Sequence, residues 1–170
     1  MEEIRSELES KKKDLNILIL GPRFPDEKLI KESCDYLREN KWENAYILEH
    51  FDEVDNIDLD YKFQSLVDKI FGKNLLIFAI FTKDIPSGGV EWELGFLQGL
   101  AFGKYPSDKG ESLRKFQENT FVLLEGGDDS KITGMLTLGG FKKVTTLDWN
   151  DKDHLFKRFE AIAYNKLYSM

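Results

Sequence analysis

Near the middle of the chain, Ser87-Gly88-Gly89 runs into Val90-Glu91-Trp92-Glu93-Leu94-Gly95. A serine and two glycines ahead of a helical stretch leave backbone amides, and the positive end of a helix dipole, open to an anion. Ser87 can cap that helix or donate its hydroxyl to a ligand oxygen, and Gly88 and Gly89 let a ligand approach the backbone closely. Glu93 follows about one turn into the helix, about 200° round from Glu91. Attraction to the dipole, worth a few tenths to about 1 kcal/mol, is reason enough for an acidic residue in a first turn. Glu93, however, shares a face with Gly89, Phe96 and Leu97. A carboxylate on so apolar a side needs a partner or a chemical role. The pattern therefore marks Glu93 as a catalytic carboxylate facing a small anionic ligand.

Such a residue needs a scaffold, and the apolar runs supply one. Asn16-Ile-Leu-Ile-Leu20, bounded by Gly21-Pro22, is continuously apolar rather than alternating, as is Leu75-Leu-Ile-Phe-Ala-Ile-Phe81. That pattern belongs to strands buried on both faces of a parallel sheet. Ala45-Tyr-Ile-Leu-Glu49, Phe121-Val-Leu-Leu124 and Lys143-Val-Thr-Thr-Leu147 read as three further strands. Helical spacing of Leu29, Ile30, Cys34, Tyr36 and Leu37 predicts a helix over 26–40. Further helices are expected at 61–71, stopped by Gly72, at 88–102, closed by Gly103, and at about 151–168. Strands alternating with helices give an α/β fold: a five-stranded, doubly wound parallel sheet, flavodoxin-like in strand order 2-1-3-4-5, with helices on both faces. Residues 1–13, ending in Lys11-Lys12-Lys13, read as a charged leader or short helix, and 14–170 as one domain. Residues 104–119, with Pro106 and Gly110, read as an inserted loop, of the kind used as a lid or subunit contact.

In open parallel sheets ligands bind beyond the carboxyl ends of the strands. Gly21-Pro22-Arg23-Phe24, the segment from Thr82 to Glu93, and Glu125-Gly-Gly-Asp128-Asp129 should meet there.

Composition narrows the partners. An apolar fraction of 41% and a charged fraction of 32% suit a soluble globular protein. A net charge of −7 argues against a nucleic-acid surface, while leaving room for one arginine and a few amides to hold a phosphate. Cys34 is the single cysteine and His50 and His154 the only histidines, so no disulfide and no metal site are expected. The start of the chain is charged and the apolar runs are strand-sized, so neither a signal segment nor a membrane span is expected, and the location expected is cytoplasmic.

The segment Pro86-Ser-Gly-Gly-Val-Glu-Trp-Glu-Leu-Gly95 resembles the signature of the nucleoside 2-deoxyribosyltransferase superfamily. It is most similar to the 2'-deoxynucleoside 5'-phosphate N-hydrolase branch. Gly21 and Arg23 after the first strand, Glu49-His50 at the end of the second, and residues 132–159 extend the likeness. The resemblance implies that Glu93 attacks the sugar C1' and forms a glycosyl ester. It implies that Ser87, Gly89 and Arg23 hold the phosphate, with Gly21 and Gly88 at the same site and His50 near the base or sugar. It also implies a homodimer or higher homo-oligomer, a small nucleotide ligand and no cofactor. The family's acid falls at Leu66, with Asp68 two residues on and Asp128 and Asp129 placed by location as alternative acids. Gly89-Val-Glu-Trp-Glu-Leu-Gly-Phe96 is similar as well to prokaryotic TIR-like domains, which implies action on the nicotinamide ribose of NAD. A silent nucleotide-binding domain is the non-enzymatic alternative.

Overall fold

The structure, a computed structural model, describes residues 2–23, 27–47, 74–85, 88–103, 107–127 and 144–170. Five parallel strands form one sheet: β1 (Asn16–Leu20), β2 (Ala45–Tyr46), β3 (Leu75–Phe81), β4 (Thr120–Glu125) and β5 (Thr145–Trp149). Their order is β2-β1-β3-β4-β5, as expected. Register runs Leu20 to Ala79 between β1 and β3, Phe81 to Leu124 between β3 and β4, and Leu124 to Asp148 between β4 and β5. All five residues of β1 and all seven of β3 are buried, which accounts for their unbroken apolar sequences.

The pleat of β3 divides the core. Leu76, Phe78 and Ile80 face a layer built by α2 (Lys28–Glu39) and α5 (Lys152–Ser169). Leu75, Ile77, Ala79 and Phe81 face α3 (Gly88–Gly103) and α4 (Glu111–Asn119). Asp151 caps α5, its carboxylate accepting from the His154 amide at 2.8 Å. From β1 the chain winds toward β2, and from β3 it winds the other way, toward β4 and β5. The switch point of this doubly wound sheet thus lies between β1 and β3.

Three details differ from the sequence expectations or extend them. Residues 111–119, expected within a loop, are helix α4. Its apolar contribution is only Phe116, 5% exposed, and the partly buried Leu113, too sparse to signal a helix over nine residues. Before it, Asp108 accepts from the amides of Gly110 and Ser112 at 3.0 and 3.1 Å, and Glu111–Lys115 and Arg114–Glu118 pair on the outer side. Strand β5 runs two residues later than the expected 143–147. The charged start of the chain is helix α1 (Glu2–Asp14), which is tied to the α2/α5 layer. Lys12 is 5% exposed, its ammonium 4.8 Å from the Trp42 ring centre and 5.0 Å from that of Tyr164, and it donates to the Asn40 carbonyl at 3.3 Å.

No helix of the described residues is long and apolar enough to cross a membrane. The expected helix at 61–71 and the end of the second strand at 48–49 lie outside the described residues.

Candidate functional site

Helix α3 buries Val90, Leu94, Leu97 and Ala101 against the sheet, a stripe at helical spacing. Glu93 lies within that stripe and is 4% exposed. Its neighbour Glu91 is partly exposed and Trp92 is 44% exposed, so the two acids of this helix occupy different surroundings, as their angular separation requires. A buried carboxylate is costly unless a cation or hydrogen-bond donors meet it. The cation comes from across the switch point. Arg23, three residues past the end of β1, donates from Nη1 to Glu93 Oε1 at 2.6 Å, the two side chains being 16% and 5% exposed. This is a short charge-assisted bond. It joins the exit of β1 to the helix that follows β3, at the carboxyl edge where open sheets bind ligands.

Two of the glycines picked out in the sequence differ in their reasons. At Gly21 a Cβ would lie 2.3 Å from Ile30 Cγ2 and 3.6 Å from Ile80 Cβ. Gly21 is therefore needed for α2 to pack against the end of β1, whatever else its backbone does. At Gly89, in the first turn of α3, a Cβ would meet nothing within 4 Å among the described residues. Packing among the described residues gives no reason for that glycine, although glycine costs a helix up to about 1 kcal/mol relative to alanine. Gly88 opens the same helix.

The next strand ends carry a second cluster, which sequence reading only partly identified. Lys83, just beyond β3, donates its amide to Glu125 Oε2 at the end of β4, at 2.7 Å. Gly126 and Gly127 follow with φ of +64° and +69°. A Cβ on Gly126 would lie 2.4 Å from Lys83 Cε, so glycine there admits the lysine side chain as well as the left-handed backbone. Their amides are engaged inside the protein, with Trp149 O at 2.7 Å and Leu124 O at 3.1 Å. This turn therefore closes the β4–β5 edge. Lys83 was not singled out in the sequence, and its place directly after the most apolar strand was the available signal.

Of the residues picked out in the sequence, the structure brings Arg23 and Glu93 into contact, places Gly21 at the base of the same edge, and sets Gly88 and Gly89 at the start of α3. His50, Ser87, Leu66, Asp68, Asp128 and Asp129 lie outside the described residues. Among the described residues no group of three or more His, Cys, Asp or Glu side chains is arranged to hold a metal ion. Set beside known proteins, the chain matches no protein-family model, no curated protein and no solved structure.

Proposed function

We propose that the protein breaks or exchanges the N-glycosidic bond of a nucleotide, with Glu93 as the nucleophile at the sugar C1'. The observation that carries this reading is the buried Glu93 carboxylate at the switch-point edge, set into an otherwise apolar helix stripe and held by an arginine from the neighbouring strand exit. An apolar residue would pack that position without needing an ion pair, so the retained carboxylate calls for a chemical reason.

In the proposed reaction a Glu93 oxygen forms a bond to C1' as the bond from C1' to the base nitrogen breaks. The bonding pair leaves with the base, which takes up a proton. Water then releases the sugar from the glycosyl ester, or the nitrogen of a second base does so in a transfer. The first turn of α3, where no described residue comes within 4 Å of a Cβ at Gly89, is suited to an anionic group on the substrate. The proposed ligand is a small nucleotide, with the cytoplasm as its setting.

Incubation with a panel of deoxynucleoside monophosphates and NAD, followed by chromatography of base and sugar products, tests the reading. Free base from a monophosphate is expected, and Glu93→Gln should lower its release by at least about 10³-fold while leaving the fold intact by circular dichroism. Release of nicotinamide alone would redirect the proposal to NAD. An unchanged rate in Glu93→Gln would remove Glu93 as nucleophile for either substrate.

A further inference from the structure

We propose that helix α1 is a strap latched to the domain by one buried ammonium, that of Lys12, and that removing this charge frees the strap while the sheet stays folded. The inference is independent of the reading of Glu93, since α1 leads into the start of β1 and Arg23 lies beyond its end. It begins with what α1 lacks. Apart from Ile4, Ser6, Leu8 and Ser10, all of its 13 residues are charged. Ile4 is 64% exposed and Leu8 is only partly buried. Of the described side chains of α1, Lys12 alone is buried, at 5% exposed. A helix of this length is marginal by itself in water, so α1 depends on what it docks against.

The seat for Lys12 suits a cation in three ways. Its Nζ lies 4.8 Å from the Trp42 ring centre and 5.0 Å from that of Tyr164, two rings that meet edge to face at 5.2 Å. Nζ donates to the Asn40 carbonyl at 3.3 Å. Asn40 closes α2, and the carboxyl end of a helix favours positive charge. The other polar ties of α1 lie at the surface, where such contacts add little: Glu9 stands 3.7 Å from the exposed Lys41, and Asn44 donates to the Lys13 carbonyl. Beyond α1 the chain is fixed without it. Leu15 is fully buried, and Asn16 donates its amide to the Asn74 carbonyl at 2.8 Å as β1 begins. The boundary between strap and sheet therefore falls at Asp14–Leu15, and release of the one leaves the hydrogen bonds of the other in place. Opening withdraws the ammonium from Trp42 and Tyr164, so the charge state of Nζ sets whether this end of the α2/α5 layer is covered.

Amide hydrogen exchange of the full chain, read by mass spectrometry, tests the latch. Lys12→Gln removes the charge and keeps a polar side chain, whereas Lys12→Arg keeps a cation that can lie on the same rings. Amides of residues 6–14 should exchange at least about tenfold faster in Lys12→Gln than in the wild type, with those of β1 and β3 unchanged. In Lys12→Arg they should stay within about threefold of the wild type. Equal exchange in Lys12→Gln and the wild type overturns the latch. So does a Lys12→Arg protein that opens as far as Lys12→Gln, because shape rather than charge would then hold the helix. Faster exchange spread through β1 and β3 overturns the strap, by showing that α1 and the sheet open together. A second measurement needs no variant and covers a Lys12→Gln protein that fails to fold. Brief treatment of the wild type with acetic anhydride, which acetylates free amines and releases acetate, should modify Lys12 at least about tenfold more slowly than the exposed Lys13. Equal labelling of the two lysines is decisive against a closed seat.

Discussion

Helices α2 and α3 bury side chains at the same spacing on opposite faces of the sheet, and each places a polar residue second in the series. In α2 the series is Ile30, Ser33, Cys34, Leu37; in α3 it is Val90, Glu93, Leu94, Leu97. Ser33 is fully buried and meets its need within its own helix, donating from Oγ to the Leu29 carbonyl at 2.7 Å. Glu93 is matched by a cation 70 residues away in sequence, on another element. A hydroxyl is accommodated by any helix, because the carbonyl one turn back is always there. A carboxylate at the same kind of position depends on the tertiary fold bringing it a cation, and here that cation comes from the edge where this class of sheet binds ligands. The difference separates a polar residue satisfied within its own helix from one satisfied across the fold, and the proposed function rests on the second.

The strongest way to break the comparison is to remove the cation. Arg23→Met takes the guanidinium from a carboxylate that is 4% exposed, and should destabilise the protein by about 3 kcal/mol in urea denaturation at neutral pH. Pairing it with Glu93→Leu should recover most of that loss, because a buried ion pair replaced by apolar side chains is often close to neutral. The recovered protein should be inactive, stability having been regained at the expense of the site. A double variant as unstable as Arg23→Met alone would show that the pair is a structural clasp and that the contrast with Ser33 carries no functional meaning.

The glycines extend the same contrast with smaller effects of opposite sign. Gly21→Ala drives a methyl to 2.3 Å from Ile30 on α2, and overpacking of this kind should cost about 2 kcal/mol. Gly89→Ala on α3 meets nothing within 4 Å among the described residues and removes a flexible residue from a helix, so it should add a few tenths to about 1 kcal/mol of stability. Equilibrium urea melts of the two variants give the signs directly. If Gly89→Ala is stabilised but binds phosphate or nucleotide more weakly, the glycine serves a ligand rather than the fold. If both variants lose stability, the first turn of α3 is packed in solution and the difference between the two glycines disappears.

Strand order and the helical layers were legible because burial on both faces writes itself into sequence as unbroken apolar runs, of which Asn16–Leu20 and Leu75–Phe81 are the clearest. Edge and surface elements write less. Strand β5 is largely exposed through Thr145, Thr146 and Asp148, so its bounds were displaced by two residues in the sequence reading. Helix α4 anchors itself mainly through Phe116 and Leu113, and Pro106 and Gly110 just ahead of it gave the stretch the look of a loop. At the site, Glu93 stood out from helix geometry alone, and Arg23 was named as the holder of a phosphate. That their two segments meet follows from the expected strand order, in which β1 lies beside β3. That Arg23 bonds to Glu93 itself was not legible, because periodicity describes which way a residue faces on its own element and says nothing of which side chain it meets on another. The burial of Lys12 between Trp42 and Tyr164 was hidden for the same reason, since a run of three lysines reads as solvated until its tertiary neighbours are known.

The smallest effect belongs to the other side of the comparison. Ser33→Ala deletes one neutral hydrogen bond, worth about 1 kcal/mol, and removes the hydroxyl together with its own need for a partner. Leu29 O, one turn earlier in α2, remains available to the helical hydrogen-bond ladder. Alanine is also the better helix former by roughly half a kcal/mol. The two effects nearly cancel, and the variant should lie within about 1 kcal/mol of the wild type in urea denaturation, with phosphate binding unchanged. This near-neutral outcome is what makes Ser33 the reference for Glu93, because both are polar, both are buried and both occupy the same place in a helix stripe. A loss above about 2 kcal/mol would mean that the Ser33 hydroxyl is needed by more than its own helix. Local satisfaction would then no longer distinguish the two positions, and the case for Glu93 would have to stand on its ion pair and its place at the switch point alone.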